Sequence, residues 1–147
     1  MRVVFAPDSF KGSASAADLA TALAAGWADV RPADELVLLP QADGGEGTVD
    51  AIAHGHPDAV RHAVRDVTGP DSRPRTASWL MLADGTAVIE LAESSGLPLM
   101  AELDSLGATS RGLGEVIASA LDAGATRLVI GLGGSASTDG GGGVLQA

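Results

Sequence analysis

Three stretches of this 147-residue chain set acids, hydroxyls and a cation among glycines. They are Asp8-Ser9-Phe10-Lys11-Gly12, Asp43-Gly44-Gly45-Glu46-Gly47-Thr48, and the run from Gly133-Gly134-Ser135 to Asp139-Gly140-Gly141. Carboxylates can hold Mg²⁺ through oxygen, and glycine lets a backbone approach a ligand closely. The hydroxyls of Ser9, Ser135 and Thr138 add hydrogen-bond donors. Lys11 is the single lysine beside eight arginines, so the one compact, mobile ammonium falls inside the first stretch. Together these groups suit a phosphate or carboxylate ligand. Asp-Gly is also an ordinary turn signal, so the weight lies on three such loops, each following an apolar run.

The elements that position these loops are legible from pattern. Arg2–Ala6 and Glu35–Leu39 are apolar runs fit for buried strands, closed by Pro7 and Pro40. Between them Ser15 and Asp18 have capping-box spacing. Leu19, Leu23 and Trp27, with Ala16, Ala20 and Ala24 beside them, mark one helix face. A short helix is expected around Val49–Ala53. Strand–loop–helix repeated in this way is the order of a parallel α/β sheet, where ligands bind beyond the carboxyl ends of the strands. Helices opening after those loops would offer N–H groups and a positive dipole end to an anion.

The pattern changes near Ala59. Ala59–Val67 alternates apolar and polar residues, and Arg75–Leu82 and Thr86–Ala92 flank the hairpin dipeptide Asp84-Gly85. An antiparallel section is expected there, with Trp79, like Trp27, in the core and Glu90 as an outward strand residue. A helix from Ser110 presents Val116, Ile117, Ala120 and Leu121, with Gly124 as its C-cap. The strand Thr126–Leu132 then feeds the last glycine loop. The expected fold class is α/β in two subdomains, with a parallel portion over residues 1–58 and a mixed section with antiparallel strands over 59–147.

Composition narrows the function. A formal charge of −10 lacks the basic footprint that nucleic acid requires. With no cysteine there are neither disulfides nor thiolate metal sites. No apolar run approaches a membrane span and the amino terminus is a poor signal peptide, so a cytoplasmic protein is expected. His54, His56 and Asp58 read as solvated loop, His62 has no evident partner, and Arg111 could grip a carboxylate. There is no G-x-x-x-x-G-K-[ST] and no G-x-S-x-G. Gly131-Leu-Gly133-Gly134-Ser-Ala136 fits a variant dinucleotide fingerprint, a thin basis for a nicotinamide-dependent oxidoreductase.

Five motifs in order, "APDSFKGSASA", "ADGGEGT", "ELAESSGL", "TSRGLGEVI" and "GLGGSASTDGGGG", run from Ala6 to Gly143. In these the chain resembles the N-terminal part of the bacterial glycerate kinase family. Ser137 stands where that family more often has threonine. The resemblance implies two α/β domains with an active site in the cleft between: residues 1–58 would be the N-terminal part of a discontinuous Rossmann-like domain, and 59–147 the start of the second, part of which is missing. It implies transfer of the γ-phosphoryl group of ATP, with Mg²⁺, to a hydroxyl of D-glycerate. Family members run on well past this glycine loop, so the chain is expected to be a fragment, inactive alone.

On that resemblance Lys11 would neutralise anionic oxygens, of the γ-phosphate or of the glycerate carboxylate. Asp43 and Asp139 would bind Mg²⁺ or accept the hydroxyl proton, with Asp8 as a further acid. Gly44, Gly45, Gly133, Gly134, Ser135 and Thr138 would donate to the phosphates. The rival from the same residues is a non-catalytic module that binds glycerate or a nucleotide without turning it over.

Overall fold

Two short parallel strands begin the fold: β1 (Arg2–Phe5) pairs in register with β2 (Glu35–Leu38). The computed structural model describes all residues from 1 to 147. Between the strands α1 (Ala16–Val30) starts at Ser15, whose Oγ accepts the Asp18 N–H at 3.1 Å and donates to the Asp18 carboxylate at 2.7 Å. The helix buries Ala20 and Ala24, a narrower face than the spacing of its large residues suggests. Leu23 is exposed, and Trp27 is half-buried, edge-on to Phe5 with its Nε1 donating to Asp34. Two strands under one helix have too little area to cover a leucine stripe. For the same reason β1 and β2 are not the buried strands that their composition predicts: only α1 packs closely on them, and Val4 is 53% exposed.

The second sheet is mixed, in the order β3-β4-β5-β6. Its strands are β3 (Val60–Thr68), β4 (Pro74–Met81), β5 (Thr86–Glu90) and β6 (Arg127–Gly131), the last parallel to β5 and the others antiparallel. The β3–β4 register breaks between Val64 and Val67, where Asp66 takes φ 59°, as a bulge requires. Gly85, at φ 79°, closes the expected turn between β4 and β5. Every residue of β5 is buried, because both faces of the sheet are covered.

One face carries α4 (Arg111–Asp122): Trp79, Ile89, Leu113, Val116 and Ala120 form the larger core. The other carries α2 (Thr48–Gly55), whose Val49 packs on Leu80 and Val88. Residues 59–147 therefore share a core with a helix from the segment before them. Trp79 is fully buried and stacks on His62 at 4.2 Å, which supplies the partner that pattern alone did not reveal. Leu121, expected on the buried face of α4, is 52% exposed while Leu113, one turn before Val116, is inside. The chain leaves β5 at Glu90 rather than Ala92 and enters a short helix, α3 (Leu91–Ser95). A last turn, α5 (Gly142–Leu145), follows the final glycine loop.

Candidate active site

The first loop is a strap. Phe10 and Ala14 bridge antiparallel, the N–H groups of Ser13 and Ala14 donate to the Phe10 carbonyl, and Gly12 turns at φ 74°. Lys11 projects from its tip, 75% exposed, with Nζ 3.5 Å from Glu46 Oε1. Otherwise that Glu46 oxygen is buried and has no hydrogen-bond partner.

The second and third loops interlock, and that contact explains much of their glycine. Gly133 donates to the Gly44 carbonyl at 2.8 Å. A Cβ on Gly131 would lie 2.6 Å from that carbonyl oxygen, and one on Gly133 would lie 2.6 Å from Gly45 Cα. Backbone thus packs on backbone, where any side chain would force the loops apart. Asp43 is exposed and accepts the Gly45 N–H at 3.1 Å through Oδ1.

A cleft of about 840 Å³ opens where the three loops meet. Asp8, Lys11, Asp43, Gly45, Gly133 and Gly134 line it, together with Ser9, Phe10, Asp18, Glu46 and Pro98. The N–H groups of Glu46 and Gly134, on its wall, have no partner within the chain. The other half of the third loop faces elsewhere: Ser135, Thr138 and Asp139 line a separate hollow of about 480 Å³ beside Ser110 and Leu113. There Ser135 bonds Ser137, and Thr138 Oγ1 donates to the Ser105 carbonyl. Asp139 accepts from Ser110 N, Ser110 Oγ, Gly141 N and Gly143 N. Expected to bind Mg²⁺ or accept the hydroxyl proton, Asp139 lies apart from the cleft that holds Asp43, and its bonds tie down the loop. No three Asp, Glu or His side chains anywhere converge to hold a metal by themselves.

The helix ends after these loops are already occupied. Ser15 caps α1, Asp139 takes the N–H groups leading into α5, and α2 is capped from a distance. Gly47, at φ 90°, precedes α2 and carries no side chain to cap it. Glu90 does so instead, accepting Gly47 N–H at 3.0 Å and Val49 N–H at 3.1 Å. Far from pointing outward, Glu90 is 5% exposed. At these helix starts the chain supplies its own acceptors, a serine hydroxyl at α1 and carboxylates at α2 and α5. What remains for an anion is Lys11 and the loop N–H groups.

Local environment shifts the acids in opposite senses. Burial pushes the Glu90 carboxyl up, with Glu93 and Asp50 adding to the rise, and the two N–H bonds offset only part of it. Burial also raises Asp139, but the bonds from Ser110, Gly141 and Gly143 outweigh it and hold the group below the usual carboxylate range. Arg111 grips Glu115 at 2.9 Å rather than standing free for a ligand.

A model of the glycerate kinase family matches residues 3–147. The chain belongs to the glycerate kinase family. It is 49% identical over 150 residues to glycerate 2-kinase of Escherichia coli and 48% identical to glycerate kinase of Bacillus subtilis. In each case the alignment takes in 100% of this chain and 39% of the relative. The crystal structure of "putative glycerate kinase 2 from Salmonella typhimurium LT2" superposes with a TM-score of 0.82 at 44% identity, covering 100% of this chain and 40% of that one. This α/β architecture, with its parallel and mixed sheets, is thus one that the glycerate kinase family shares.

Within this glycerate kinase family chain, sequence reading gave Glu46 no role and favoured an outward strand position for Glu90. Glu46 sat in plain view inside "ADGGEGT", adjacent to the acids chosen, and its pairing with Lys11 was the missing datum. For Glu90 the available signal was an acid at the end of the most apolar strand, which burial makes costly unless it is hydrogen-bonded. Ser110, which donates to Asp139 and accepts Val144 N–H, carried no such signal.

Proposed function

We propose that this chain carries phosphoryl-transfer machinery of a glycerate kinase that uses ATP and Mg²⁺. The observation that supports this best is the single cleft shared by Lys11, Asp8, Asp43, Glu46 and the Gly133-Gly134 backbone. Phosphoryl transfer asks a protein for positioning and charge stabilisation. Lys11 supplies the mobile cation, held over the cleft by Glu46 until an anionic oxygen competes for it. Unpartnered N–H groups of Glu46 and Gly134 donate to phosphate or carboxylate oxygens.

Asp43 fits a Mg²⁺ ligand: it is exposed to the cleft and its Oδ2 has no partner. One carboxylate completed by substrate phosphates and water is an ordinary environment for this ion, which is consistent with the lack of a three-acid cluster. When bound, Mg²⁺ offsets the charge developing on the phosphate oxygens. Asp8, on the strap, is the acid we assign to the hydroxyl proton of D-glycerate. As the hydroxyl oxygen bonds to the γ-phosphorus, the bond to the ADP oxygen breaks and the proton passes to the carboxylate. Asp139 acts at one remove, holding the third loop in shape, while Ser135 and Thr138 bind only what enters the second hollow.

Calorimetry of Mg·ATP and of D-glycerate on this chain tests the reading, beside an ADP-release assay with both present. Binding of both, with at least one of them weakened in Lys11→Ala and Mg·ATP weakened in Asp43→Asn, is the expected result. A folded chain that binds neither would overturn it. ADP release is expected only when the chain is extended to its relatives' full length, and a folded extended form that binds both without ADP release would favour the non-catalytic module.

A further inference from the structure

Glu90 is the only charged side chain among the buried residues, and the phosphoryl-transfer roles proposed above leave it unused. No cation pairs with it: the charged groups that act on it are Asp50 on α2 and Glu93 on α3, and Arg61 on β3 is bonded to those two acids rather than to Glu90. An ionised carboxylate in such a place is costly unless its oxygens are well bonded. Its two oxygens divide between two N–H groups that lie 43 and 41 residues away along the chain. Those N–H groups sit at the exit of the Asp43 loop. The backbone of Glu90 meanwhile pairs with Gly131 across β5–β6, at the root of the third loop. One residue therefore grips both walls of the cleft, one with its side chain and the other with its main chain.

We infer that Glu90 is a positioning residue that sets the spacing between the Asp43–Gly47 and Gly131–Gly134 loops and so the geometry in which Asp43 and the Glu46-held Lys11 meet an anion. The inference rests on the reading of that cleft as the ligand site. Glutamine at this position keeps one acceptor and turns an amide donor toward the other N–H. Aspartate is shorter by one methylene and reaches one N–H at best. Both variants leave the main-chain pairing with Gly131 available.

The experiment is backbone amide NMR of the whole chain without ligand, followed by a titration with Mg·ATP. In the wild type the Gly47 and Val49 amide protons are expected to move together with pH, reporting one shared carboxylate. In Glu90→Gln that joint movement disappears, and hydrogen exchange from Gly44 to Val49 quickens. Mg·ATP affinity falls about tenfold, the equivalent of one lost charge-assisted hydrogen bond, and Glu90→Asp recovers part of it. Wild-type Gly47 and Val49 amides that ignore pH or move independently would overturn the inference. So would a folded Glu90→Gln with unchanged exchange, or one melting earlier while binding Mg·ATP normally. A wild type that shows the joint amide movement yet binds no Mg·ATP would sink the ligand-site reading, and positioning for that ligand with it, while leaving the Glu90 clamp on the loops in place.

Discussion

The Gly133 N–H donates to the Gly44 carbonyl at 2.8 Å, and this bond joins the two glycine loops across which the cleft is built. Gly133→Ala would set a Cβ 2.6 Å from Gly45 Cα, backbone that cannot yield without parting the loops. The expected cost is about 1–3 kcal/mol, typical of overpacking, with weaker Mg·ATP binding. Gly140→Ala is the control: a Cβ there meets nothing within 4 Å, so only the φ of 63° is strained, at about 1 kcal/mol. Denaturant unfolding with calorimetry compares the two, and equal effects on binding would contradict the interlock.

Lys11 separates function from stability. At 75% exposure its pairing with Glu46 adds little to folding, so Lys11→Ala should shift unfolding by less than about 1 kcal/mol. Affinity for Mg·ATP or D-glycerate should fall by about tenfold or more, the scale of a lost charge-assisted contact. Lys11→Arg should restore the charge but not the full affinity, since a planar fork does not replace a compact ammonium. Isothermal titration against both ligands also tells which of them the ammonium holds.

The acids make opposite contributions to stability with pH. Asp139 has a folded pKa lowered from 3.8, so its contribution is present above that value and is lost as pH falls through the lower folded value. Glu90 is raised from 4.5, so its contribution is complete below 4.5 and declines as pH rises through the raised value. Thermal melts from acid to neutral pH should show Asp139→Asn flattening the acid limb and Glu90→Gln flattening the slope above it. The same change in both variants would contradict the assignment of signs.

Trp79 is the keystone of the larger core, fully buried with His62 stacked on it and Ser119 accepting its Nε1–H at 3.3 Å. Trp79→Ala should cost about 3–5 kcal/mol. Trp79→Phe should cost less, although it loses the bond to Ser119. Because the cleft lies on loops outside this core, folded Trp79→Phe should bind Mg·ATP as the wild type does, measured at a temperature well below its melt.

Much of the fold was legible beforehand because its signals are local. Ser15 and Asp18 announced α1 by cap spacing, Asp84-Gly85 announced its turn, and the change from helical to alternating pattern near Ala59 separated the parallel strands from the mixed sheet. Lys11, Asp8, Asp43, Gly45, Gly133 and Gly134 were chosen from composition and context, and the structure gathers them along one cleft. Ser135, Thr138 and Asp139 were chosen on the same grounds and face another hollow. The loop changes sides within a few residues, at a bridge between Gly96 and Ser135 that no local pattern encodes.

By itself, then, the amino-acid sequence determined the elements, their order, the family and the chemical character of the loops, because these depend on neighbours within a turn or a strand. Tertiary structure alone decided what each loop faces. Which strands are buried depended on how many layers cover them, so apolar β1 and β2 stay half-exposed while β5 is enclosed. Whether a helix end is free for an anion depended on an acid brought from about forty residues away, Glu90 on α2. Whether the glycines serve a ligand or one another depended on two backbones meeting at Gly44 and Gly133. Each is a long-range contact, and a contact's energy depends on both partners, only one of which any short window of sequence contains.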